Sequence, residues 1–420
     1  MGLVGVVVLL ALAFAVSSNR RQALAPRNLL HHVGWGMGLQ LAMAVIALHT
    51  PVGARVFVWT NDLANAFVGF ADAGIEFVFG RWPNVAVVST PDPSVPGGFR
   101  TVVVGFVLAV RVLPLIVFIA SLMAVLYHLG VMQRIVTLLA RGLSRSMKIS
   151  GAEALSTVGD IFLGMTEAPL LVRPYVARMT ESELFAVMCA GMATIAGTVL
   201  LAYVAMGIDA GSLVTASFMS APAAVMFAKI IVPETGVPET MAGVKVSIPR
   251  VDVNVIDAAA RGAGEGLQLA LNVGAMLVAF VALVAMIDRG ASLLGGLFGH
   301  PELTLGKALG VPLAPLAYVM GVPWQDAPFV GSLLGTKTVL NEFLAYQALS
   351  AHAAELSPKT VRIATFALCG FANFGSLAIV LGGLGSMVPE RRADLARLGI
   401  RAIIAGSLAT FMAGTIAGLM

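Results

Sequence analysis

Gly164-Met-Thr-Glu-Ala-Pro-Leu-Leu-Val-Arg-Pro-Tyr175 sets a carboxylate, Glu167, and a guanidinium, Arg173, inside a chain that is otherwise close to hydrocarbon. Of its 420 residues 58% are hydrophobic and 11% charged, where soluble domains carry about 25% charged residues. The mean hydropathy is +0.92. These values describe an integral membrane protein. Several apolar runs reach the roughly 20 residues a helix needs to cross a bilayer, and no succession of alternating segments of about ten residues suggests a barrel. The fold class is therefore an all-α polytopic membrane protein.

The rest of the chain frames that stretch. Apolar spans are expected at 2–16, 32–48, 101–127, 184–206, 212–232, 267–286, 363–387 and 398–419, about eight transmembrane helices. Arg20, Arg21 and Arg27 follow the first span rather than precede it, which reads as a membrane helix starting outside and not as a cleaved signal. Residues 57–79 carry Asp62, Asp72 and Glu76 and are expected along the interface. Residues 129–147 are amphipathic and basic, and suit the cytoplasmic surface. A proline-rich loop is expected at 89–98, a polar linker at 233–254 and a weakly amphipathic piece at 303–320. Net charge of +4 comes from Lys and Arg in short loops, so nucleic acid is not an expected partner. Cys189 and Cys369 lie in apolar runs as small buried hydrophobes.

Two segments share a layout. Residues 151–206 hold Glu167 in an interrupted apolar stretch, then Gly191-Met-Ala-Thr-Ile-Ala-Gly197; residues 321–387 hold Asn341-Glu342, then Gly370-Phe-Ala-Asn-Phe-Gly-Ser376. The small-residue motifs begin 24 and 28 residues after their glutamates. A stretch of about 28 residues with a polar, glycine-containing centre is too short to cross twice at 1.5 Å per residue, but it can enter halfway and return as a re-entrant hairpin, provided its tip is buried in protein or beside water. Gly164 permits the first turn, Thr166 is expected to cap the next helix, and Pro169 suits its first turn. Gly335 and Thr336 are expected to play the same part in the second, with Glu342 near a helix start. The small residues let the following spans unwind, freeing carbonyls and the side chains of Thr194, Asn373 and Ser376 for a ligand. Broken helices meeting at mid-membrane in an inverted repeat are the architecture of a secondary transporter. The chain divides accordingly: N-terminal helices at 1–100, a scaffold span and interfacial helix at 101–150, a first repeat at 151–232, linker and scaffold at 233–320, and a second repeat at 321–420.

Thr166-Glu-Ala-Pro-Leu-Leu-Val-Arg-Pro-Tyr175, Asn341-Glu-Phe-Leu-Ala-Tyr346 and Cys369-Gly-Phe-Ala-Asn-Phe-Gly-Ser376 resemble signature segments of concentrative nucleoside transporters. Arg111-Val-Leu-Pro114, Met219-Ser-Ala-Pro-Ala223 and Asp257-Ala-Ala-Ala-Arg-Gly262 extend the resemblance over about residues 100–420. It implies a multi-pass protein of the cytoplasmic (inner) membrane that imports nucleosides on a sodium or proton gradient, with no cofactor beyond the co-transported Na+ or H+. A homotrimer is implied, each protomer a scaffold plus an elevator-like transport domain. By matching motif, Glu342, Asn373 and Ser376 hold the ribose hydroxyls, Thr166 and Glu167 face the base, and Phe371 lines the pocket. The ion site of sodium-coupled relatives falls on Asp160, the carbonyl of Leu163, and Thr194 with Ile195.

Two residues depart from the family motif Asn-Ile-Phe-x-Gly-Gln-Thr-Glu. Met165 stands where the glutamine would bond a base edge, so base preference is expected to broaden, to shift toward purines or to turn to a modified nucleoside. Asp160 stands where the asparagine would be, and either binds sodium as an anion or carries a proton.

Blander readings accompany these. Glu167 can pair with Arg173, Lys337 with a carboxylate at the second tip, and Arg111 can be a paired or snorkelling residue; His128 and His352 sit near span ends. Carriage of a nucleobase or nucleoside-like compound is the runner-up. An intramembrane hydrolase with Glu167 and Glu342 as paired carboxylates is a remote third, lacking a His-rich metal spacing or a serine motif. The expectation is that the protein is not an enzyme.

Overall fold

The computed structural model describes residues 1–80, 86–91, 99–104, 107–241, 252–297, 299–300 and 302–420. Among them, six segments are long and apolar enough to cross a membrane: Leu29–His49, Leu108–His128, Glu181–Ala205, Ala210–Ile231, Val255–Leu297 and Pro389–Leu419. Gly2–Ala15 and Phe374–Met387 are shorter apolar helices.

Numbering only helices longer than two turns, the N-terminal part comprises α1 (Gly2–Ala15), α2 (Trp35–His49) and α3 (Pro51–Phe79). The last is continuous and carries Asp72, whose carboxylate pairs with Arg111 at 3.3 Å, so this arginine is a structural partner. A small antiparallel hairpin follows, β1 (Ala86–Pro91) on β2 (Phe99–Val104), with Ala86 opposite Val104 and Pro91 opposite Phe99. The sequence reading had residues 89–91 in a loop and 101–104 in a span. The β-branched runs Val87-Val-Ser-Thr90 and Thr101-Val-Val-Val104 favour strand, and their apolar composition mimics the start of a span. The middle of the expected loop, 92–98, lies outside the described residues.

After β2 a short helical turn, Leu108–Arg111, breaks at Val112 before α4 (Leu113–His128), whose first turn holds Pro114. Next, α5 (Val131–Met147) buries Met132, Val136, Ala140, Leu143 and Met147, spacings of three and four that put them on one face as its amphipathic pattern requires. Further along, α10 (Val255–Leu297) packs along α4. Gly262 and Gly266, one turn apart, meet Ala124 and Ala120, a small-residue seam that lets two backbones approach closely. Arg261 near its start forks onto both carboxylate oxygens of Asp252 at 2.6 and 2.9 Å, which holds that carboxyl below its usual range.

The two repeats form the buried body. The first runs through α6 (Gly151–Asp160), a short turn at Ala168–Val172, then α7 (Glu181–Ala193), α8 (Gly197–Ala205) and α9 (Ala210–Ile231). After α11 (Leu305–Val319), the second runs through α12 (Ala327–Val339), α13 (Glu342–His352), α14 (Pro358–Leu368), α15 (Phe374–Met387) and α16 (Arg392–Leu419). Nearly every residue of α7, α9 and the second half of α16 is buried.

Each hairpin is pinned at its base to the start of the span that follows. Ser150 and Glu153 cap α6 reciprocally, and the same Glu153 pairs with the buried Lys229 of α9, which also donates to Ser182 at 3.0 Å. In the second repeat Asp326 accepts from the Thr360 hydroxyl at 2.6 Å. A reciprocal cap contributes about 1 kcal/mol, and a buried carboxylate left without such a donor is costly, so these ties fix where each hairpin begins.

Candidate substrate and ion site

Glu342 is placed by the residue before it. Asn341 is extended, and its side-chain oxygen accepts the Leu344 N–H at 3.0 Å, capping α13 so that Glu342 is its first residue. The second tip therefore turns at Leu340–Asn341, not at Gly335–Thr336 as expected; α12 runs straight through Gly335, Thr336 and Lys337. Gly335 instead admits α11, since a methyl group there would lie 2.6 Å from Leu309 Cβ. An asparagine has stronger cap propensity than a glycine has turn propensity inside an otherwise helical run, and the chain turns where the cap is.

Glu342 is 6% exposed. Tyr203 of α8 donates its hydroxyl to Oε1 at 2.7 Å, and Asn373 donates its amide to Oε2 at 3.2 Å. Asn373 serves twice, because its Oδ1 also accepts the Ser376 N–H at 2.7 Å and so caps α15. Glu342 thus sits where two helices begin, and the partial positive charge of helix N-termini favours an anion there. Among the described residues it makes no ion pair. Phe371 and Ser376 are also buried beside this second break, which spans Cys369 to Asn373.

At the first tip Gly164 adopts φ +130°, a conformation open to glycine, and a methyl group there would lie 2.9 Å from Glu167 Oε2 and 3.2 Å from Ala196 Cβ. The tip lies on the first break: the Gly197 N–H donates to the Phe162 carbonyl at 3.3 Å, and Met165 packs on Gly191. Asp160 also faces Gly191; it is 1% exposed, and neither carboxylate oxygen has a hydrogen-bond partner among the described residues. Thr194 is extended, its hydroxyl bonded back to the Ala190 carbonyl, and Ile195 is buried.

Thr166 does not cap the next turn as expected. Glu167 occupies that position without a side-chain cap bond, while Pro169 takes the first turn as its missing N–H predicts. The Thr166 side chain points instead to Gly383 of α15, where an added methyl would lie 2.9 Å from its Cγ2. Glu167 is exposed, and no ion pair with Arg173 is formed among the described residues. Nor does Lys337 meet a carboxylate: its ammonium donates to the Ala367 carbonyl at 2.8 Å and to the Thr410 hydroxyl at 2.7 Å.

The structure thus gathers Asp160, Leu163, Met165, Thr194 and Ile195 around the first tip and break, and Glu342, Phe371, Asn373 and Ser376 around the second, with Thr166 reaching α15. Tyr203 is the member that sequence reasoning missed. Its one signal was a phenol in an apolar span, where a buried hydroxyl needs a partner.

Residues 4–82 and 212–418 match the N-terminal and C-terminal parts of the family described as Na+ dependent nucleoside transporter, and residues 109–210 match a gate region described as nucleoside recognition. An uncharacterized transporter of Haemophilus influenzae is 44% identical over 99% of this chain and 96% of its own length.

The chain belongs to the Na+ dependent nucleoside transporter family.

A nucleoside permease, NupC, of Helicobacter pylori is 40% identical to the transporter over 99% of this chain and 96% of its own. The solved structure of CNTnw in an inward-facing substrate-bound state superposes with a TM-score of 0.87 at 43% identity, covering 100% of this chain and 96% of that one. The transporter is accordingly a multi-pass nucleoside symporter of the cytoplasmic membrane and not an enzyme, and the paired-carboxylate hydrolase reading falls.

Proposed function

We propose that the transporter grips its nucleoside by the sugar at Glu342, Asn373 and Ser376, and meets the base with Met165, Thr166, Glu167 and Phe371. A cation held by Asp160, the Leu163 carbonyl, Thr194 and Ile195 orders the first tip against its break and so couples the gradient to substrate. The carrier works as a homotrimer in which the two hairpins and their broken spans move as an elevator against α4 and α10.

The observation that carries this reading is the buried Glu342, held by neutral donors and without a cationic partner among the described residues. Adjacent ribose hydroxyls are strong donors to such a carboxylate and offset its desolvation. A bare nucleobase offers no such pair. Ser376 and Gly383 lie seven residues apart on α15, roughly 10 Å at 1.5 Å per residue, which separates a sugar end from the base end marked by Thr166. For the cation, Asp160 offers hard oxygen donors beside Gly191 in the last turn of α7, and sodium or a proton both suit it.

The test is uptake of radiolabelled uridine and adenosine into proteoliposomes under an imposed sodium or proton gradient. Accumulation above the external concentration under one gradient is expected; failure to concentrate either nucleoside under both rejects the reading.

A further inference from the structure

The two breaks abut one another. A methyl group on Gly370 would lie 2.8 Å from the Ala193 carbonyl oxygen and 2.8 Å from Thr410 Cγ2, so the end of α7 touches the start of the second break. Two helices therefore finish side by side in the protein interior, α7 at Ala193 and α14 at Leu368. Each leaves carbonyls without intrahelical partners and carries the partial negative charge of a helix C-terminus. Apolar surroundings make both ends demand a cation.

The ends are served differently. At α14 the demand is met from within: Lys337, on the first helix of its hairpin and fully buried, donates to the Ala367 carbonyl and to Thr410, and lies 5.6 Å from the centre of the Phe411 ring. At α7 the first helix of the corresponding hairpin ends in Asp160, a buried carboxyl with both oxygens unpartnered among the described residues. One repeat brings a lysine amine to its break, and the other brings a buried carboxyl whose oxygens have no protein partner among the described residues.

We propose that Lys337 is a tethered cation, standing at the second break where the first break takes its exchangeable one. It is a positioning residue: by neutralising the end of α14 it holds the second break, and through it Asn373 and Glu342, in the binding geometry without a second dissolved cation. The proposal rests on the assignment of the coupling cation to the Asp160 end.

The test replaces the ammonium and reads cation dependence. In proteoliposomes, Lys337→Gln is expected to need at least tenfold more activating cation than the wild type, with a steeper activation curve, whereas Lys337→Arg keeps the wild-type curve. Thermal unfolding in detergent covers a poorly folding variant: Lys337→Gln is expected to regain stability in sodium chloride over choline chloride by a larger margin than the wild type. An unchanged activation curve with only a lowered maximal rate, or equal destabilisation in the two salts, overturns the proposal. Asp160→Asn in the same assay separates the two assignments. A cation response that moves with Lys337 but not with Asp160 removes the Asp160 coupling site and with it the counterpart role proposed for Lys337, whereas a response that moves with Asp160 but not with Lys337 keeps the coupling site and overturns the Lys337 proposal alone.

Discussion

The Tyr203 hydroxyl donates to Glu342 Oε1 at 2.7 Å, joining the broken span of the first repeat to the hairpin of the second. With the Asn373 amide on the other oxygen, the carboxylate is oriented before any substrate arrives. A hydrogen bond to a charged group is worth about 1.5–3 kcal/mol. Tyr203→Phe is therefore expected to raise the nucleoside KM by about tenfold or more with the maximal rate largely kept. Uptake kinetics check this; an unchanged KM would show that the phenol does not hold the carboxylate for the sugar.

Gly370 is required by contact rather than by turn geometry. An alanine there would press on the Ala193 backbone and on Thr410, and backbone cannot yield as a flexible side chain does. Overpacking of this kind costs about 1–3 kcal/mol. Gly370→Ala should unfold at a lower temperature in detergent and transport poorly, while Gly382→Ala, with open space around it, should match the wild type. Equal behaviour of the two variants would show that the breaks do not depend on this approach.

Neither carboxylate oxygen of Asp160 has a hydrogen-bond partner among the described residues, and in the proposed ion site they face the coupling cation. Asp160→Asn removes the charge and one acceptor while keeping the shape. The cation concentration or pH that half-activates uptake should move by at least about tenfold, as expected when a charged interaction of 1.5–3 kcal/mol is lost. Identical sodium and pH dependence in the variant would take Asp160 out of the coupling site.

Met165 packs on Gly191 and offers no amide to a base. Met165→Gln should change the ratio of uridine to adenosine uptake while leaving discrimination between ribose and deoxyribose as it was. A uniform loss for all substrates would point to damage at the Gly191 contact instead.

The glutamates, the hairpin layout and the two breaks were legible because carboxylates, amides and glycines in an apolar chain have few other reasons to exist. Gly335 misled because a glycine that admits a neighbouring helix looks the same in sequence as one that turns the chain, and Asn341 was the better sign. Tyr203 was hidden because a phenol reads as packing until its partner is known. The role of Lys337 was unreadable for a different reason: its acceptor is a backbone carbonyl freed by an unwound helix, and backbone groups leave no letter in the sequence. The strands Ala86–Pro91 and Phe99–Val104 were missed because valine-rich runs serve membrane helices and strands alike.

The central claim is that Glu342 recognises the sugar. It is tested most directly by the apparent affinities of uridine and its deoxyribose counterpart for the wild type and for Glu342→Gln, combined as a double-mutant cycle between residue and hydroxyl. The account predicts a coupling of about 1.5–3 kcal/mol, with the wild type strongly preferring ribose and the variant nearly indifferent. Additive penalties, with the ribose preference intact in Glu342→Gln, would contradict it.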